Sequence, residues 1–217
     1  MNGTLQPDQK LQISMLKDHY EIGWSPLREA LNRLSTCGFV VKREQQGFYV
    51  ASVDEEGLVE LTNARIWLDE IAFRQTFCRD TGEWEERIII ALHRLSKCYP
   101  LEGDVDKNFS TEWRELHRAF HSELISHCGS EWLINYCRQL FDQFTRYRLI
   151  VLEKTNPGKK TSRREDKEHK DILNACLERD VEQATMLMAL HYKLSTEIIL
   201  DTELTLSEHP LRVVRAD

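Results

Sequence analysis

Several features that define other protein classes are missing from this chain of 217 residues. It has no apolar run near the roughly eighteen residues that a membrane-spanning helix needs, and its N-terminus lacks the basic-then-apolar layout of a secretory signal. Nine glycines and five prolines are too few for a fibrous or low-complexity protein. These absences predict a soluble, cytoplasmic protein with no membrane partner.

Cysteine is present but follows no motif. The six cysteines are scattered along the chain without a C-x-x-C pair, so neither a disulfide framework nor a thiolate zinc site is predicted. We expect them to be small core residues of a protein that folds in a reducing compartment.

Positive charge is scarce for a protein that binds nucleic acid. The chain carries 29 basic and 36 acidic side chains, a formal net charge of −7. Residues 1–50 hold six basic against five acidic side chains, so the acidity belongs to the rest of the chain. Because neutralising phosphates supplies much of the affinity for DNA, charge alone does not indicate a nucleic-acid partner.

The order of elements near the N-terminus does indicate a nucleic-acid partner. Apolar residues over 11–22 predict one helix, and Ser25 followed by Pro26 supplies an N-cap and a first helical proline for a second helix. Leucines then recur at helical spacing. Residues 39–51 hold two β-prone runs joined by a polar turn, which predicts a hairpin. Helix, turn, helix and hairpin is the order of a winged helix-turn-helix.

This segment resembles the DNA-binding domain of the GntR family of bacterial transcription regulators. The resemblance is carried by the string Pro-Leu-Arg-Glu-Ala-Leu over 26–31 and by the glycine of the wing, Gly47. It implies that Arg28 contacts double-stranded operator DNA from the recognition helix, that Ser25 binds a phosphate, and that Gly47 lets the wing approach the minor groove. The candidate DNA-binding residues are Ser25, Arg28, Arg33, Lys42, Gln46 and Gly47. A small α/β module with no DNA role is the alternative.

The segment also departs from the family pattern. Gly23 and Trp24 stand where the family usually has serine and arginine, and Gln46 replaces a wing arginine, which predicts a different operator. The family's domain begins with a helix upstream of Leu5, and only six residues precede Pro7. We therefore expect this first helix to be missing and the apolar faces that it covers to be open.

From Asp54 onward, the pattern is almost entirely helical. Apolar residues near a period of 3.6 predict an antiparallel six-helix bundle, with helices over 54–79, 83–98, 109–127, 131–154, 162–179 and 181–204. Loops are expected at 100–107 and 156–160. The pattern is lost after Leu204, which predicts a flexible tail. The predicted protein is thus all-α, with a winged helix-turn-helix over 1–53, the bundle over 54–204 and the tail over 205–217.

Four histidines of the bundle form a candidate metal site. His117 and His121 are four residues apart, which places both imidazoles on one face of one helix. His169 lies on the fifth bundle helix and His191 on the sixth, so both could face the same cavity. Two adjacent imidazoles are half of a transition-metal site. The alternative is that these residues are ordinary polar groups of the core.

The motifs around these histidines are similar to those of FCD, the all-helical effector domain of the FadR-like branch of GntR regulators. Metal-binding members hold a divalent ion with an aspartate and three histidines, and His117 occupies the aspartate position here. The resemblance implies a divalent transition metal, with zinc or nickel favoured by an all-histidine set. It also implies a homodimer that senses a small organic acid.

Arg65 is the first candidate for binding that acid. A helical arrangement places it on the same face as Leu58 and Leu68, so its guanidinium should point at the core, where a buried arginine needs an anionic partner. In FCD regulators, an arginine at this place often binds the carboxylate of an organic acid. An ion pair with Asp69, four residues on, is an equal alternative. Arg148 is a weaker candidate for the same role.

These observations favour a ligand-responsive transcription regulator, with repression the commoner outcome in the family. The competing class is a helical-bundle metalloenzyme in which a histidine-bound ion activates water, with Glu123 or Glu168 as the base. A third possibility, a regulator fragment that no longer binds DNA, follows from the missing helix.

Overall fold

The computed structural model describes residues 5–79, 82–98, 111–155, 165–208 and 211–215. Over these residues the chain forms a small head, a bundle of six helices and a short C-terminal hairpin. The predicted fold class, all-α with a small winged head, is confirmed. None of the helices in these ranges is long and apolar enough to cross a membrane.

The head is a winged helix-turn-helix. Its elements are β1 (Lys10–Leu11), α1 (Ile13–Tyr20), α2 (Trp24–Thr36), β2 (Val40–Arg43) and β3 (Gly47–Val50). The strands form an antiparallel sheet in the order β1-β3-β2. Its core consists of Leu11, Leu27, Leu31, Val40, Phe48 and Val50. Residues 5–9, which precede β1, form no helix.

Two details of the head differ from the sequence prediction. The N-cap of α2 is Gly23 and not Ser25, because the amide of Leu27 already donates to the carbonyl of Gly23 at 3.3 Å. The helix predicted over 11–22 is shorter, since Leu11 pairs with Phe48 in the sheet. The second difference arises because backbone pairing to the wing takes Leu11 out of the helix.

The bundle helices lie close to their predicted positions. They are α3 (Glu55–Arg79), α4 (Glu83–Ser96), α5 (Thr111–Leu124), α6 (Glu131–Thr155), α7 (Glu165–Leu177) and α8 (Val181–Leu200). The core between them contains the buried aromatic residues Phe73, Trp84, Trp113 and Phe120. The predicted loops 100–107 and 156–160 lie outside the described residues, as do the first residues of the third and fifth predicted helices.

A tight turn between α7 and α8 places His169 on α7 and His191 on α8 at similar distances from the turn. The amide of Asp180 donates to the carbonyl of Ala175, and Arg179 adopts a left-handed conformation with φ of 62°. The side chain of Asp180 then caps α8 by accepting from the amide of Gln183 at 2.9 Å. His169 and His191 are each about 12–15 Å along their helices from this turn, at 1.5 Å per residue.

The prediction of a flexible tail over 205–217 is wrong for the described part of that segment. Strands β4 (Leu204–Glu208) and β5 (Leu211–Arg215) form an antiparallel hairpin. The side chain of Asn63 on α3 holds it by accepting from the amide of Val213 at 2.7 Å and donating to its carbonyl at 3.1 Å. Leu204 and Val213 are buried against the bundle, and strand burial has no helical period.

An apolar groove runs between the head and the bundle. Its walls are side chains of the head core together with Leu149 and Ile150 of α6, and its volume is about 530 Å³. Leu16, Ile22 and Leu34 face it from the head.

Candidate functional site

Four histidine side chains meet inside the bundle. His117 and His121 come from α5, His169 from α7 and His191 from α8, and all four are buried. One ring nitrogen from each lies within 4.8 Å of the others. The structure therefore brings together the four residues that the sequence predicted as a metal site.

The spacing of the ring nitrogens fits a cation at the centre. His121 Nε2 lies 3.1 Å from His117 Nε2 and 3.3 Å from His169 Nε2. One ring nitrogen carries either one proton or one lone pair, so it cannot make two such contacts as ordinary hydrogen bonds. Ligand nitrogens about 2.0–2.1 Å from one tetrahedral ion would lie about 3.3 Å apart. The donor set and its geometry suit a transition metal.

The environment keeps at least one of these rings in its metal-binding form. Burial lowers the pKa of His117 well below its usual 6.5, and the neighbouring rings of His121 and His169 lower it further. Arg148 and Arg65 act in the same direction. His117 is therefore neutral at physiological pH, which is the state in which imidazole ligates a metal.

Arg65 lies beside the cluster with its guanidinium enclosed by aromatic rings. The guanidinium carbon lies 4.0 Å from the ring centre of Tyr192, 4.7 Å from that of Phe144 and 5.2 Å from that of Phe141. The residue is only 3% exposed, and its Nε has no hydrogen-bond partner among the described residues. A buried donor without an acceptor costs about 1–3 kcal/mol, and an incoming carboxylate would supply the acceptor.

Asp69, the alternative partner of Arg65, is engaged elsewhere. Its Oδ2 accepts a hydrogen bond from the hydroxyl of Tyr192 at 2.6 Å. Burial raises the pKa of Asp69, and the charge of Arg65 opposes that rise. Asp69 therefore acts on Arg65 electrostatically and also fixes the tyrosine ring on which the guanidinium stacks.

Arg148 faces the same cavity from α6. Its Nη2 lies 2.9 Å from Oε1 of Glu165, and its guanidinium lies over the ring of Trp113 at 5.0 Å. The cavity is lined by both arginines and by His117, His191, Trp113, Phe141, Tyr192 and Ser195. One cavity thus joins the histidine cluster to both predicted carboxylate-binding arginines.

Helix α6 connects this cavity to the head. Gln143 Nε2 donates to the carbonyl of Cys37 at 2.5 Å, and Arg146 donates through Nη2 to the carbonyl of Ala51. Phe144 and Arg148, on the same stretch of helix, line the cavity. Sequence reasoning missed these two contacts, because polar residues on a helix give no sign of the backbone carbonyl they will meet.

The predicted DNA-binding residues lie on the outer surface of the head. Arg28 and Arg33 are exposed on α2, whose opposite face buries Leu27 and Leu31. Ser25 is exposed in the first turn of α2, where Gly23 provides no side-chain cap, so amides of this turn can donate to a phosphate.

The wing supplies the remaining candidates. Lys42 on β2 and Gln46 in the turn are exposed. Gly47 has φ of 96°, a conformation that favours glycine, and a side chain there would meet open space. Nearby Arg43, which sequence reasoning missed, stacks on Tyr49 at 4.1 Å and forms an exposed ion pair with Asp8.

Comparison with protein families gives two matches that together cover most of the chain. Residues 1–50 match the bacterial regulatory proteins of the gntR family, and residues 60–194 match the FCD domain. The first match coincides with the head and the second with the bundle.

Individual relatives agree with these matches. The HTH-type transcriptional repressor GlaR of Escherichia coli is 34% identical over 88% of this chain and 86% of its own length. The HTH-type transcriptional regulator BphR of Paraburkholderia xenovorans is 30% identical over 92% of this chain and 80% of its own. Among solved structures, McbR/YncC of E. coli superposes with a TM-score of 0.74 at 21% identity, over 92% of this chain and 90% of that one, which supports the fold.

Proposed function

This chain belongs to the GntR family of bacterial transcription regulators and carries an FCD effector domain, and we propose that it acts as a dimer that releases or binds operator DNA in response to a small organic acid. The observation that carries the proposal is the bundle cavity, whose wall, α6, also hydrogen bonds the head. The family and the named relatives are transcription regulators, not enzymes.

The inner end of the cavity is a metal site in this proposal. His117, His121, His169 and His191 are the ligands, and zinc or nickel is the ion that their neutral imidazole nitrogens suit. The ion would supply a fixed positive charge, and expansion from four to five ligands would let it take an anionic ligand. The imidazoles hold it in a water-poor site, where that charge acts strongly on a carboxylate.

Arg65 and Arg148 are the groups that bind and orient the acid. Arg65 offers its Nε, which has no acceptor among the described residues, and its aromatic enclosure holds the guanidinium in one orientation. Arg148 already pairs with Glu165 and can exchange that carboxylate for one on the ligand. The acid would bind by charge-assisted hydrogen bonds, which exceed neutral ones in strength about twofold.

Helix α6 carries the response to the head. A ligand that pulls Arg148 inward acts on the helix that also holds Cys37 and Ala51 of the head through Gln143 and Arg146. Ligand-dependent movement of α6 would change the orientation of the recognition helix, and with it the head spacing that fits a two-fold operator. We infer repression because GlaR is named a repressor. Since the target is chromosomal DNA, the protein works in the cytoplasm.

A DNA-binding experiment tests the head. Operator fragments are first selected from a random pool with the wild-type protein. Arg28→Ala should then bind the selected sequence more weakly by about 1–3 kcal/mol, because a base contact is lost. Arg94→Ala, an exposed arginine on α4, is the matched control. If the wild type selected no sequence, the hypothesis of a regulator fragment that no longer binds DNA would be supported. If Arg28→Ala kept the wild-type specificity, Arg28 would not be a recognition residue.

A second experiment tests the coupling. Arg146→Met should retain the selected DNA but lose the change in affinity that metal and carboxylates produce, because the bond from α6 to Ala51 is gone. Arg138→Met removes an exposed arginine from the same helix and should respond like the wild type. An unchanged ligand response in Arg146→Met would exclude this contact from the signal path.

A further inference from the structure

Glu168 is a half-buried acid that touches the histidine cluster without belonging to it. It precedes His169 on α7 and reaches across to α8, where its Oε2 accepts a hydrogen bond from His191 Nδ1 at 2.8 Å. The ring of His191 is 3% exposed and the carboxylate 19%. The contact is therefore partly sheltered from water and is screened by salt less than an exposed ion pair.

This hydrogen bond decides which nitrogen of His191 can ligate a metal. A carboxylate accepts, so the proton of the neutral ring resides on Nδ1 and the lone pair on Nε2. The same bond holds the ring against rotation about its side-chain torsions. A ring with a fixed tautomer and orientation loses less entropy on binding a metal than one that must be reoriented.

The cluster also lacks a negative charge of its own. All four candidate ligands are neutral imidazoles, and Arg65 and Arg148 lie near enough to act electrostatically on His117. A divalent cation placed there would add two more positive charges to this region. A carboxylate one hydrogen bond away partly neutralises them and strengthens the donor character of the imidazole between.

We propose that Glu168 is a positioning residue of the metal site, acting through His191 by fixing its tautomer and supplying the negative charge that the four ligands lack. The role rests on the metal site proposed above. It assigns Glu168 to metal binding and not to activation of water, because its carboxylate is already engaged by the ligand ring.

Zinc affinity of the full chain, measured by competition with a chromophoric chelator, tests this role. Glu168→Gln keeps a hydrogen-bond acceptor but removes the charge, and should weaken zinc binding about 10–100-fold. Glu168→Asp should bind with intermediate affinity, since it restores the charge on a shorter side chain. Asp166→Asn removes one charge from the same helix, where its partner is the exposed Lys170, and should bind like the wild type.

Two further readouts separate positioning from a structural role. The metal-free Glu168→Gln protein should melt within about 1 °C of the metal-free wild type, and its cobalt(II) absorption bands should shift relative to the wild type. The role of Glu168 would be overturned if Glu168→Gln bound zinc as tightly as the wild type. It would also be overturned if Glu168→Gln bound zinc more weakly only because its metal-free form melts at a lower temperature. A wild-type protein that binds neither zinc nor cobalt would overturn the metal site itself, and this role with it.

Discussion

Replacing His169 by alanine should abolish the stabilisation of the bundle by metal. His169 is fully buried, and its Nε2 lies 3.3 Å from that of His121, so the variant lacks one of the four converging ligands. A ligand present at 100 times its dissociation constant stabilises the state that binds it by about 2.7 kcal/mol. For a domain of this size each kcal/mol raises Tm by about 2–4 °C, so zinc should raise the Tm of the wild type by about 5–11 °C.

Calorimetry of metal-free protein, with and without zinc, measures this difference directly. The comparison is made within each variant, so a lower starting Tm of His169→Ala does not affect it. His93→Ala removes an exposed histidine of α4 and should keep the full rise. An equal rise in His169→Ala, or no rise of the wild type with zinc, nickel or cobalt, would show that the four rings are polar groups of the core and not a metal site.

Three further outcomes are expected. Arg65→Met should abolish the response of thermal-shift assays to small carboxylates, because the guanidinium that would donate to them is gone; a retained response would exclude Arg65 as the acid's anchor. Iodoacetamide at pH 8 should label the exposed Cys78 of the folded protein and spare Cys137. Burial raises the pKa of Cys137, so it stays an unreactive thiol; mass spectrometry of tryptic peptides shows which of the two cysteines is labelled. Asn63→Ala should lose about 1–3 kcal/mol from two hydrogen bonds to Val213 and speed deuterium exchange of β5; unchanged exchange would mean that burial alone holds the hairpin.

Local periodicity was enough to predict most of the fold. The bundle helices follow a 3.6-residue apolar pattern, and helix formation depends mainly on residues within one or two turns, so their bounds could be predicted from the sequence. The same holds for His117 and His121, because residues four apart on a helix must share a face. The winged head was predicted from turn and cap signals, although the cap itself proved to be Gly23, two residues before Ser25.

Tertiary structure decided what the pattern could not contain. Strands β4 and β5 dock on the bundle partly through Asn63, about 150 residues earlier, whose side chain hydrogen bonds the amide and carbonyl of Val213. Arg65 could be predicted to point inward, but its position over Tyr192, and the engagement of Asp69 by that tyrosine, depend on how α3 meets α8. No periodicity encodes such distances between helices.

In the candidate site too, the sequence identified the residues and the tertiary structure determined their arrangement. The sequence supplied four histidines and two arginines as candidates, since their residue types and spacing restrict the chemistry available to them. The convergence of His169 and His191 required the tight turn at Asp180 between two packed helices. The hydrogen bond from His191 to Glu168 required the packing of α7 on α8, because a side chain's partner across a helix interface is set by axial offset and rotation, which the sequence of neither helix specifies alone.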